Sequence, residues 1–154
     1  MAETISREFV DAFYQAYISR DAQRIGTFLD DDVEWHVAGP VEVMPICGTW
    51  HGKAAVIDRF ARLTPQVIEF KSLDTEHLLV DGNCSAFFGR ITVRHRRSGR
   101  LVSHRVAHIA HYRDGKVVYF RVINDSWDAA EQFIGHRLAP TSEELSGSED
   151  LAVV

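Results

Sequence analysis

The sequence predicts an α+β fold, with helices packed over one face of a curved antiparallel sheet. Two observations carry this. Apolar residues recur at helical spacing over 5–19 and 53–63, then alternate with period two from residue 67 to residue 124. The second is punctuation. Asp81-Gly82, Ser98-Gly99 and Asp114-Gly115 separate runs rich in Val, Ile, Phe and Tyr, and each pair is a tight-hairpin signal.

The elements follow in order. Residues 5–19, "ISREFVDAFYQAYIS", place Ile5, Phe9, Phe13, Ala16 and Tyr17 on one helical face. Asp21 is an N-cap for a second short helix that ends near Leu29. "VEWHV" (33–37) is a short strand. Residues 38–52 hold three Gly and two Pro, which makes a structured loop with room for one short strand. "KAAVIDRFARL" (53–63) is a third helix with Val56, Ile57, Phe60 and Leu63 inward, and Pro65 stops it. Runs 67–80, 84–95, 101–113 and 116–124 form a four-stranded meander. Asp125 or Ser126 caps a last helix that Gly135 ends. Residues 1–136 are one domain, and the polar, acidic stretch 137–154 is a loosely held tail.

Composition narrows the function classes. The chain has 154 residues, 45% hydrophobic and 25% charged, enough for one domain with a real core. A net charge of −5 argues against a nucleic-acid partner. The basic run "RHRRSGR" (94–100) brackets a Ser-Gly turn and reads as a solvated hairpin end. No apolar stretch approaches the roughly 20 residues of a membrane span. "MAETISREF" has no apolar signal-peptide core. Cys47 and Cys84 lie far apart, outside any CxxC spacing, as expected of reduced packing residues in the cytoplasm.

The order αα-β-α-ββββ-α resembles the SnoaL-like branch of the nuclear transport factor 2-like superfamily. The stretches that carry it are "FYQAYISRDAQRIGTFLDDDVEWHVAGP", "ICGTWHGKAAVIDRF" and "AHIAHYRDGKVVYFRVINDSWDAAEQFIG". The resemblance implies a cone-shaped fold around a pocket and a homodimer formed through the outer sheet face. It also implies an isomerase, a cyclase or a dehydratase that works by proton transfer without cofactor or metal. The superfamily includes non-catalytic binders too, so fold alone does not choose.

Catalytic positions of the family carry over unevenly. The carboxylate base of ketosteroid isomerases falls on His36, their oxyanion-hole Tyr near Phe13, with Tyr14 and Tyr17 beside it, and their protonated Asp on His108. The Arg-x-Asp and Asp of limonene-epoxide hydrolases fall on Gly89, Ile91 and Val122, so that triad is absent. The histidine of scytalone-type dehydratases falls on His77, but its partner falls close to Phe87. The acid/base Asp of SnoaL-type cyclases falls near Val122, with Asp125 as the nearest carboxylate and a helix cap as its plainer role.

"SHRVAHIAHYRDG" carries three histidines. Alternation sets His104 and His108 on one strand face and His111 on the other. His104 and His108 then stand roughly 13 Å apart along the strand, too far to share an ion at about 2 Å. The expected site is a pair, His36 as base and His108 as donor or partner, since a neutral imidazole can accept and donate near neutral pH. The expected wall is Phe13, Tyr17, Phe87, Ile91, Val106, Phe120 and Val122, with His77 inside and Asn124 at the mouth. Met44 and Trp50 shape the entrance, and Trp35 either grips a ring or packs the core. The ligand expected of such a wall is a small hydrophobic molecule.

Overall fold

The computed structural model describes residues 4–138. Helices α1 (Arg7–Ser19) and α2 (Ala22–Gly26) precede strand β1 (Leu29–Ala38). A loop leads to β2 (Gly48–His51), helix α3 (Lys53–Asp58), a π-helical turn (Arg59–Leu63) and the short α4 (Thr64–Val67). Strands β3 (Ile68–Asp81), β4 (Cys84–His95), β5 (Leu101–Arg113) and β6 (Lys116–Asn124) follow, then α5 (Ser126–Ile134). The tail expected over 137–154 lies outside the described residues from 139 onward.

The six strands form one sheet in the order β2-β1-β6-β5-β4-β3. The meander is present as expected, and β1 adds to it in parallel with β6. Hairpin turns use the φ > 0 residues that tight turns need: Gly82, Gly99, Asp114 and Gly115. The sheet bends where β3 and β4 shift register between Thr75 and His77. Gly89 sits opposite that point, and a Cβ there would stand 2.1 Å from the Asp74 carbonyl oxygen. Only glycine lets the two backbones approach so closely.

Local signals set the helix ends. The Ser6 side chain accepts from the Phe9 N–H, and the Asp21 carboxylate accepts from the Gln23 and Arg24 N–H groups. Asp125 stands at the N-cap of α5 but makes no side-chain cap bond. Two expectations need correction. The second helix ends at Gly26 instead of Leu29, because Leu29 already pairs with Val117 at the start of β1. Pro65 does not stop the third helix. An extra residue in the π-turn closes an N–H to carbonyl bond from Thr64 to Arg59, and Pro65 enters the first turn of α4, where its missing N–H breaks no ladder bond.

The core lies between the helices and the inner sheet face. Trp35 stacks on Phe120 with centroids 4.1 Å apart, and Phe13 meets Phe120 edge-on at 5.5 Å. These three side chains are fully buried. They form the floor on which the candidate site stands.

Candidate functional site

A cavity of about 40 Å³ lies inside the cone. Its walls come from α1 (Tyr17), β4 (Ile91, Val93), β5 (Val106), β6 (Val122), α5 (Phe133) and the loop after β1 (Met44, Ile46, Cys47). The free space takes a few waters or one small polar group. Met44 and Ile46, both on the loop after β1, form part of its lining.

Asn124, His104, His108, Arg20, Arg59 and Thr64 bring polar groups to this apolar enclosure. Asn124 is fixed first: its Nδ2 donates to the Ala38 carbonyl at 2.7 Å. Its Oδ1 is therefore the acceptor for His104 Nε2, 3.1 Å away, which carries the proton. That leaves His104 Nδ1 as a buried lone pair with no hydrogen-bond partner among the described residues. Burial lowers the His104 pKa, against a smaller opposing effect of the Asn124 bond, and keeps the ring neutral near pH 7.

His108 is bonded through its other ring nitrogen. Its Nδ1 lies 3.0 Å from the Tyr14 hydroxyl. Burial raises the Tyr14 pKa well above its ordinary value, so Tyr14 keeps its proton and is able to donate it to Nδ1. With Tyr14 as the donor, His108 holds its own proton on Nε2. Burial, helped by the positive charge of Arg20, pushes its pKa down to about 3. The ring stacks on Phe87 at 4.8 Å and on Tyr14 at 5.8 Å, which fixes its plane.

Arg20 and Arg59 complete the lining. Arg20 ends α1 in the left-handed region, φ 58°, and its guanidinium lies over the rings of Phe70 (3.9 Å) and Tyr17 (4.6 Å). Its Nε and Nη2 are buried without a hydrogen-bond partner. Arg59, from the π-turn, lies over Trp50 at 4.8 Å and donates from Nη2 to the Ile46 carbonyl at 3.0 Å. Its Nε is buried and unbonded. Burial chiefly pulls its pKa down to about 10, so it stays charged. Thr64 Oγ1 is another buried orphan on the same wall.

The structure sorts the residues expected from sequence. Tyr17, Met44, Ile91, Val106, His108, Val122 and Asn124 line the cavity. Phe13, Trp35, Phe87 and Phe120 are buried one layer behind, as core. Trp50 supports Arg59 instead of framing an entrance. His77 is exposed on β3, beside the bulge, and does not reach the cavity.

His36 requires the largest correction. It lies on the outer sheet face, with Nδ1 3.0 Å from Thr49 Oγ1 and Nε2 3.4 Å from Glu34 Oε2. Its neighbours Trp35 and Val37 take the inner face, and period two leaves His36 outward. The pair His36–His108 therefore does not exist as a cavity pair. Among the described residues no three His, Cys, Asp or Glu side chains are grouped to hold a metal ion.

Sequence reasoning missed Arg20, Arg59 and the role of His104. For His104 a signal was available, since alternation already placed it on the His108 face. Nothing in the sequence marks the arginines, because each sits at a helix end or turn where a solvated charge is ordinary.

Comparisons with known proteins agree with this architecture. A family described as a SnoaL-like domain matches residues 10–120. A crystal structure from Rhodopseudomonas palustris superimposes with a TM-score of 0.73 at 22% identity, over 86% of this chain and 100% of that one. An NTF2-like protein of unknown function from Burkholderia pseudomallei gives 0.70 at 25% identity, over 86% and 96%. TerC, co-crystallized with polyporic acid, gives 0.71 at 25% identity, over 82% and 96%. No curated protein matches the chain.

Proposed function

The chain belongs to the SnoaL-like domain family, and from that premise we propose that it binds a small, mostly apolar molecule in the cone and moves a proton on it. The carrying observation is the bonding of two buried histidines on the cavity wall. His104 offers a buried, unbonded lone pair, and His108 offers an N–H, both on the cavity wall. His104 takes a proton from carbon, and the His108 N–H bonds the oxygen on which charge develops. That chemistry serves isomerisation, aldol-type cyclisation or dehydration of an enolisable cyclic compound, polyketide-like or steroid-like. TerC, with its polyporic acid, supports the reading that this fold takes a small organic molecule.

The test is proton–deuterium exchange at the α-carbon of a panel of cyclic enolisable ketones, followed by NMR. Wild-type protein accelerates exchange on at least one of them. His104→Phe lowers that rate by about 10²-fold or more, the scale of a lost general base. An undiminished rate in His104→Phe removes the proton-transfer reading.

A second reading is a binder that holds its ligand unchanged. One observation favours it: among the described residues no Asp or Glu lines the cavity. A ligand that binds, shows no exchange and is recovered intact decides for it.

The same reading includes a second copy of the chain on the outer sheet face. Phe88, Ala107 and Ile123 stand opposite one another across β4, β5 and β6, with Ile109 beside them. Phe88, Ile109 and Ile123 are all exposed. Sedimentation that gives a monomer at micromolar concentration rejects the dimer. The two free cysteines agree with a cytoplasmic location.

A further inference from the structure

Arg59 is 6% exposed, and the two Arg20 nitrogens named above are buried as well. Burying a guanidinium without a counter-charge is unfavourable, and arginine does not escape by losing its proton. Among the described residues neither guanidinium lies within ion-pair distance of a carboxylate. The aromatic rings under them hold their planes but cancel little of their charge. Water could bond the free N–H groups, yet it leaves two like charges in one apolar enclosure.

Resting on the reading of the cavity as a small-molecule site, we infer that its ligand is a carboxylate, held between Arg20 and Arg59 with its apolar part against Val106 and Val122. The chemistry selects this group. The unbonded atoms on this wall, Arg20 Nε and Nη2, Arg59 Nε and Thr64 Oγ1, can all donate. A carboxylate is flat, carries one negative charge and offers two acceptor oxygens that match a guanidinium fork. A phosphate is bulkier, and past the polar groups the wall that remains is apolar, at Met44, Val106 and Val122. The inference narrows the substrate from an apolar ring compound to an apolar acid.

The test is calorimetric titration of the full-length protein at neutral pH with butyrate and benzoate, each against its amide. Each acid binds about tenfold or more tightly than the amide of the same shape. Arg59→Gln, with its fold checked by circular dichroism, removes the difference. If Arg59→Gln does not fold, Arg59→Lys carries the test. It keeps the charge but loses the fork, and the preference falls severalfold. Equal binding of acid and amide overturns the inference and leaves the cavity reading standing. So does a preference that survives in the Arg59 variant. Binding of neither class overturns the cavity reading and the inference together.

Discussion

His104 and Arg105 are neighbours in the chain and occupy opposite faces of β5. Arg105 is half exposed, and its Nη1 donates to both Glu76 carboxylate oxygens, at 2.9 and 3.0 Å, in water. His104 is buried, its nearest partner is an amide, and one ring nitrogen has no bond at all. The same contrast repeats on β1. His36 outside has Thr49 and Glu34, while Trp35 inside has an unbonded Nε1. Outer polar groups are satisfied and screened, so each contributes little. Inner polar groups are desolvated and left incomplete, which costs stability and is consistent with a ligand completing them.

The contrast can be broken from its strongest side first. Trp35→Ala removes the ring stacked on Phe120 and lowers stability by about 3–5 kcal/mol in urea unfolding. A loss below about 1 kcal/mol means the inner face is not the packed layer described here. Acid titration sharpens the comparison next. The folded-state pKa of His108, about 3, lies below its unfolded value near 6.5. The unfolded chain therefore binds more protons between these values. The His108 contribution is complete above about pH 6.5 and is lost as pH falls toward 3, by up to roughly 1.4 kcal/mol per pH unit. His108→Phe flattens that part of the stability profile, and an unchanged slope refutes the assignment. The smallest effect belongs to the outer face. His36→Ala changes stability by less than about 1 kcal/mol and leaves ligand binding unchanged. A loss of binding in that variant would return His36 to the site.

Much of the fold was legible because local chemistry specified it. Ser6 and Asp21 cap helices, and Gly82, Gly99 and Gly115 turn hairpins, each by a bond or torsion that neighbours in sequence settle. Pro65 misled because its effect depends on the π-turn before it, which no local pattern announces. The site was legible only in part. Period two placed His104 and His108 together, and it also opposed Trp35 to His36. Following that alternation through "VEWHV" separates His36 from any inner face that Trp35 occupies.

The sequence by itself determined the order of elements, the meander and which β5 residues share a face, because these follow from periodicity and torsion. Only the tertiary structure decided the pairing of Tyr14 with His108, the fixing of His104 by Asn124, and the burial of Arg20 and Arg59 without a carboxylate. The reason is separation along the chain. Tyr14 and His108 are 94 positions apart, and His104 and Asn124 are 20 apart. Desolvation depends on everything packed around a group, so neither the tautomers nor the uncompensated charge is written in any one stretch of residues.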